Sequence, residues 1–193
     1  GMLIGRQVNV SLFMRRMLVR RYESSVAAFR DSLNSMIDSS EHILKWIEKR
    51  DKVPVYKKGT LPDVEEFYET TDDDLSEEIA EAFEKYQERG FFEIDMKYIK
   101  RDEFLTAIRA DLQLLKDIRN EWFVAKEETI RGKSVITYGM KFDYKLDAFR
   151  KLLKEQRTKD PSRKIIVFTE FADTANYLGE ALADEGLGVF KYT

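Results

Sequence analysis

Arg15, Arg16, Arg20 and Arg21 place four guanidinium groups within seven residues. On a helix, Arg16 and Arg20 share a face, because residues four apart sit one turn above each other. Such a patch can pair with phosphates through charge-assisted hydrogen bonds, or with another lobe of the same protein. The bland alternative is a solvated helix face with local salt bridges. A second candidate follows the apolar run Ile165-Ile166-Val167-Phe168, where Thr169, Glu170 and Phe171 come next. Loops at the carboxyl ends of strands bind ligands in open α/β sheets. A threonine hydroxyl there can donate to a phosphate oxygen. It can equally cap the next helix while Phe171 packs into the core.

Other chemistries lack their residues. The chain has no Cys, so it holds neither disulfides nor thiolate metal ligands. Its one His, His42, cannot build a multi-histidine metal centre and reads as a surface helix residue. Asp72, Asp73 and Asp74 lack the alternating spacing and glycine of a calcium loop, so they read as a solvated turn. Glu77, Glu78, Glu81, Glu84 and Glu88 read as an exposed acidic helix face, able to repel nucleic acid or to dock on a basic surface. Trp46 and Trp122 are assigned to packing rather than to base stacking. No Gly-x-x-x-x-Gly-Lys-Ser/Thr loop is present, so there is no phosphate cradle, and no catalytic residue is assigned.

The elements that position these residues come from periodicity. From Val10 to Glu48 there is neither Gly nor Pro, and apolar residues recur at three- and four-residue intervals. This predicts a long helix, with a restart at Ser39-Ser40 as the alternative. Residues 51–74 read as a connector, extended at Val53-Pro54-Val55. A helix is expected from Asp74 to a stop at Gly90. Asp102 is placed as the cap of the next helix, which ends near Trp122, and Gly132 marks a loop. Another helix spans Phe142 to Gln156. The end of the chain changes character: the run Ile165–Phe168, a helix from Phe171 to Glu185, and the run Val189–Tyr192 read as one parallel β-α-β unit.

Of the 193 residues, 43% are apolar and 36% charged, enough for a real core inside a highly solvated surface. The net charge of −3 hides an asymmetry. Residues 1–58 carry 12 basic and 6 acidic side chains, residues 59–95 carry 2 and 14, and residues 96–193 carry 19 and 16. A basic arm therefore precedes an acidic middle. No apolar run is long enough to span a membrane. No signal peptide is visible, so a cytoplasmic protein is the expectation. Gly1 ahead of Met2 reads as the scar of a removed expression tag.

Two stretches resemble one family. Lys145-Leu146, Arg163-Lys164-Ile165-Ile166-Val167-Phe168-Thr169, Phe171-Ala172-Asp173-Thr174, Tyr177-Leu178 and Ala181-Leu182 resemble the opening of the second RecA-like lobe in Swi/Snf-type ATPases of helicase superfamily 2. The strand and turn match helicase motif IV. Upstream, Met17-Leu18, Arg20-Arg21, Tyr22-Glu23, Ser24-Ser25 and Ala27-Ala28-Phe29-Arg30 resemble the helical segment between the two lobes in the RapA-like bacterial branch. Residues from roughly 50 to 140 match only as a helical insertion.

The resemblance implies a mainly α fold: an elongated helical bundle with a small, truncated parallel α/β (RecA-like) piece at the C-terminus. It divides the chain into residues 1–140, a helical interlobe and insertion region, and residues 141–193, the start of the second lobe. The implied function is that of a piece of an ATP-dependent helicase or translocase, with ATP and Mg²⁺ bound by the larger protein and none expected here. Its partners would be nucleic acid, by family double-stranded DNA, and the rest of the motor: the first RecA-like lobe and the remainder of the second. No membrane is expected. Arg16, Arg20, Arg21, Thr169 and Glu170 are the nucleic-acid candidates, since motif IV lies near the nucleic-acid backbone in the family. The piece would couple lobe closure to movement rather than make bonds. The first alternative is a helical protein–protein interaction module without ATPase association. A complete small nucleotide-binding enzyme is disfavoured, because Thr169-Glu170-Phe171 has no glycine to admit a phosphate.

Overall fold

The structure is a computed structural model, and it describes residues 15–56, 90–130, 132–183 and 188–192. Helices dominate, so the fold is mainly α, with two small antiparallel sheets. The chain forms two compact units: residues 1–34 with 118–193, and residues 35–117. These divisions follow packing, whereas the boundary at 140 follows sequence resemblance.

Helix α1 covers residues 15–24, and α2 runs Val26–Arg50. The sequence offers Ser39-Ser40 as the site of a restart, but the break comes at Ser25. The Ser25 hydroxyl accepts the Ala28 amide at 3.0 Å, which caps α2. Ser40 instead donates its hydroxyl to the Met36 carbonyl at 2.9 Å, so the helix absorbs it. Asp51 ends α2 in the left-handed region, with φ of 55°, and its amide bonds the Ile47 carbonyl at 2.9 Å.

In the unit 35–117, β1 (Lys52–Tyr56) pairs antiparallel with β2 (Phe91–Asp95), with Val53 opposite Ile94 and Pro54 opposite Glu93. The connector reading correctly makes 53–55 extended but misses the pairing, because the partner lies some forty residues away. Pro54 is tolerated because each strand of a two-stranded sheet is an edge. A single 3₁₀ turn, Met96–Tyr98, leads to α3, Arg101–Trp122. Asp102 and Glu103 lie within its first turn, where they favour the positive helix end, rather than Asp102 preceding it as the cap. Ile47, Val53 and Met96 form one core cluster, with Ile43, Ile94, Phe104 and Leu105 against it.

Glu93 ties this core to α2. Its carboxylate accepts Trp46 Nε1 at 2.7 Å and Arg50 Nε at 2.6 Å, with Lys52 Nζ at 3.4 Å. Burial pushes the Glu93 carboxyl up, but the hydrogen bonds from Arg50 and Trp46 and the charges of Arg50 and Lys52 outweigh it. The net effect holds the group below its ordinary value. Trp46 is buried and meets the Phe91 ring edge-on, which agrees with its assignment to packing.

In the other unit, β3 (Phe123–Ile130) and β4 (Lys133–Met140) form an antiparallel hairpin around Gly132, whose φ is 78°. The sequence marks only its loop. The strands carry weak alternation because most of the hairpin is exposed on both faces. Trp122 meets Tyr22 and Phe29 edge-on and lies 5.7 Å from the Phe142 ring centre. Helix α4, Tyr144–Lys159, is capped by Asp143, which accepts the Leu146 amide at 2.9 Å. Helix α5 spans Ala172–Ala183.

Among the described residues the expected parallel strands do not appear. Residues 163–169 and 188–192 carry no ladder hydrogen bonds, and both sheets among the described residues are antiparallel. An apolar run becomes a strand only beside a neighbour that takes its amides and carbonyls. Here Ile166 is 77% and Phe168 90% exposed. The expected helix at 74–90, the acidic face on it and the Asp72–Asp74 turn lie outside the described residues, apart from Gly90, which has a positive φ of 84°.

Candidate nucleic-acid interface

Four of the five candidate residues meet at one junction, between α1 and the segment entering α5. Arg20 donates one guanidinium nitrogen to both carboxylate oxygens of Glu170, at 2.8 and 2.9 Å. Arg21 pairs with Asp173, and its guanidinium lies 4.6 Å from the centre of the Phe171 ring. The two pairs differ in setting. The Arg20 and Glu170 side chains are 62% and 61% exposed, whereas those of Arg21 and Asp173 are 27% and 40% exposed. The inner pair is thus partly desolvated and reinforced by the ring; the outer pair stands in water.

Behind the ion pairs lies a cluster of hydroxyls. Ser24 and Ser25 each approach the Thr174 hydroxyl at 2.8 Å, and Ser24 lies 3.3 Å from that of Thr169. The Thr169 oxygen also accepts the Phe171 amide at 3.3 Å. Thr169 therefore braces the turn into α5, the capping role that its position before the helix allows. Ser25 and Thr174 are buried, and small hydroxyls are what let the chain segments approach so closely there.

Lys145, from the first turn of α4, donates to the Glu23 and Ser24 carbonyls, the latter at 2.9 Å. Those carbonyls close α1, so a cation sits at the negative end of that helix. Tyr177 of α5 donates its hydroxyl to Asp143 at 2.9 Å. Burial, then the Asp143 carboxylate, pushes the Tyr177 hydroxyl well above its ordinary value, keeping it a donor. A cleft of about 530 Å³ opens beside these groups, with Arg20, Ser24, Lys145, Thr169, Glu170 and Phe171 among its walls.

Arg16 does not join the junction. It is exposed one turn earlier on α1, and no ion pair holds it among the described residues. The residues missed as site members are Ser24, Ser25, Asp143, Lys145, Asp173, Thr174 and Tyr177. Most of them already stand in the two stretches that carry the family resemblance. What the sequence lacks is any sign that residues about 150 positions apart touch. The ensemble has the means to join segments: Arg20, Arg21 and Lys145 are engaged by Glu170, by Asp173 and by the carbonyls of Glu23 and Ser24. Among the described residues no group of three His, Asp or Glu is placed to hold a metal ion.

No family model matches the chain, and no solved structure matches it. It is similar to the myosin type-2 heavy chain 2 of Schizosaccharomyces pombe, with 26% identity over 149 residues. That match covers 75% of this chain but 7% of the heavy chain, so it carries no assignment of family or activity.

Proposed function

We propose that this chain is the interlobe helical segment and the opening of the second RecA-like lobe of a Swi/Snf-like, superfamily-2 nucleic-acid-dependent ATPase. It would couple lobe closure to movement on double-stranded DNA and take no part in bond-making. The observation that carries the reading is the junction itself. The two stretches that resemble the family lie far apart in sequence, yet they meet through Arg20–Glu170, Arg21–Asp173 and the Ser24–Ser25–Thr174 hydroxyls. A helical segment joined to the motif IV turn is what such coupling requires, because a rigid joint transmits rotation and a loose one absorbs it.

The exposed apolar runs support the parallel RecA-like piece. Ile166, Phe168 and Phe190 are 77%, 90% and 97% exposed. That much apolar surface on two runs flanking one helix is what neighbouring strands of a parallel sheet would cover. No helix among the described residues is long and apolar enough to cross a membrane.

Two observations test the assignment. The reading frame around this chain is expected to hold a Gly-x-x-x-x-Gly-Lys-Ser/Thr loop upstream and arginine-bearing lobe-two motifs downstream. A frame with neither sinks it. The 193-residue chain is expected to hydrolyse ATP at background rate with or without duplex DNA; turnover above background would show that it is not a coupling segment.

A further inference from the structure

We infer that Glu170 is an intramolecular stand-in for a nucleic-acid phosphate: its carboxylate holds Arg20 until a backbone phosphate displaces it, while Arg21–Asp173 keeps the joint closed. This rests on the nucleic-acid reading above and changes the part that Glu170 plays in it. A carboxylate repels a phosphate, so Glu170 does not bind nucleic acid directly; it competes for the arginine that does.

The contrast between neighbouring pairs carries the argument. Both oxygens of Glu170 lie within 2.9 Å of one Arg20 nitrogen, an arrangement that two phosphate oxygens can reproduce. Both partners are more than half exposed, so the pair is weak and can exchange with solvent anions. Arg21 cannot exchange as readily. It is more deeply buried, bonded to Asp173, and covered by the Phe171 ring at 4.6 Å. Arg16, exposed and without an ion pair among the described residues, shares the α1 face of Arg20 and adds positive charge where the phosphate would arrive. Adjacent arginines thus divide the work: one holds the joint and the other is lent to the ligand.

The test is binding of a short fluorescent DNA duplex to the whole chain, followed by anisotropy over a range of salt. Glu170→Gln is expected to bind about two- to fivefold more tightly at low salt, the equivalent of releasing one exposed ion pair. Its plot of log affinity against log salt is expected to keep the slope of the unmodified chain to within less than about 0.9, because Arg20 neutralises the same phosphate in both. Arg20→Gln weakens binding, and in that background Glu170→Gln produces no gain. The melting temperature of Glu170→Gln stays within experimental error of the unmodified chain, since the inner pair remains. Unchanged or weaker binding by Glu170→Gln overturns the inference while leaving the nucleic-acid reading intact. A gain that persists without Arg20 also overturns it, since that gain would be general charge relief. If neither the unmodified chain nor Glu170→Gln binds DNA or RNA duplexes, the inference and the reading fall together.

Discussion

Arg21 pairs with Asp173 across 152 positions of sequence, and its guanidinium rests over the ring of Phe171, two residues before that acid. One side chain therefore contacts the turn into α5 twice, once by charge and once by its flat face. That geometry suits arginine and not lysine, whose ammonium is a point charge without a planar surface.

The pair should behave as a unit. Arg21→Gln is expected to destabilise the chain by about 1–2 kcal/mol, a figure kept low because Asp173 is substantially exposed. Asp173→Asn should cost less, because the ring contact survives. The double variant should cost less than the sum of the two. Urea unfolding of the four chains provides the cycle, and simple additivity would show that the two side chains do not interact.

Ser25 combines two roles in one hydroxyl: it caps α2 through the Ala28 amide and meets the Thr174 hydroxyl in the buried cluster. Ser25→Ala is expected to cost about 1–2 kcal/mol, the worth of a cap plus a buried polar contact. Thr174 keeps Ser24 as a partner, which limits the loss. Thermal melts read this directly, and a cost near zero would mean that Ser25 is a passive break between α1 and α2.

The Glu93 network makes one unit sensitive to acid. The folded carboxyl holds its proton less tightly than the unfolded one, whose ordinary value is 4.5. The native state thus gains stability that is complete above that value and lost as pH falls through and below it. Glu93→Gln is expected to remove about 2–3 kcal/mol near neutral pH. It should also flatten the fall in stability in this acid range. Unfolding curves collected from neutral to acid pH in a Trp122→Phe background, where Trp46 emission is the probe, check both effects; a pH profile identical to that of the same background with Glu93 intact would refute the role.

Tyr177 gives the opposite sign. Its hydroxyl pKa is raised by folding above the ordinary value of 10.0, so the stability it contributes is full below that value and lost as pH rises through the folded one. Alkaline titration by tyrosinate absorbance should show Tyr177 ionising late, only as the protein unfolds. Tyr177→Phe should remove one tyrosinate from that late step. It should also loosen Asp143, the cap of α4, to which Tyr177 donates.

How legible all this was depends on the range of each interaction. The helices were readable because their signals are local: apolar residues at three- and four-residue spacing predict α3, α4 and α5 to within a few residues, and the C-terminal end of α2 but not its start. The absence of thiolate and multi-histidine chemistry followed from residue types alone, as did the packing role of Trp46. The break at Ser25 was not readable, because Ser25 and Ser40 are the same residue type in similar helical surroundings. Thr174 waits beside one hydroxyl, and the Met36 carbonyl takes the other. The two antiparallel pairings were missed, since strands are stabilised by partners rather than by their own sequence. Residues 163–169 show the converse, a strong strand-forming sequence with no partner and no ladder.

At the junction, the sequence by itself supplied two arginines on α1 and a threonine and glutamate before α5, with chemistry suited to a phosphate. Only the tertiary structure decided that Arg20 faces Glu170 and Arg21 faces Asp173. The physical reason is that a charge is indifferent to sequence distance. A charge answers to whatever lies within a few ångströms and to how much water remains there, and both are set by the packing of α1 against the turn into α5.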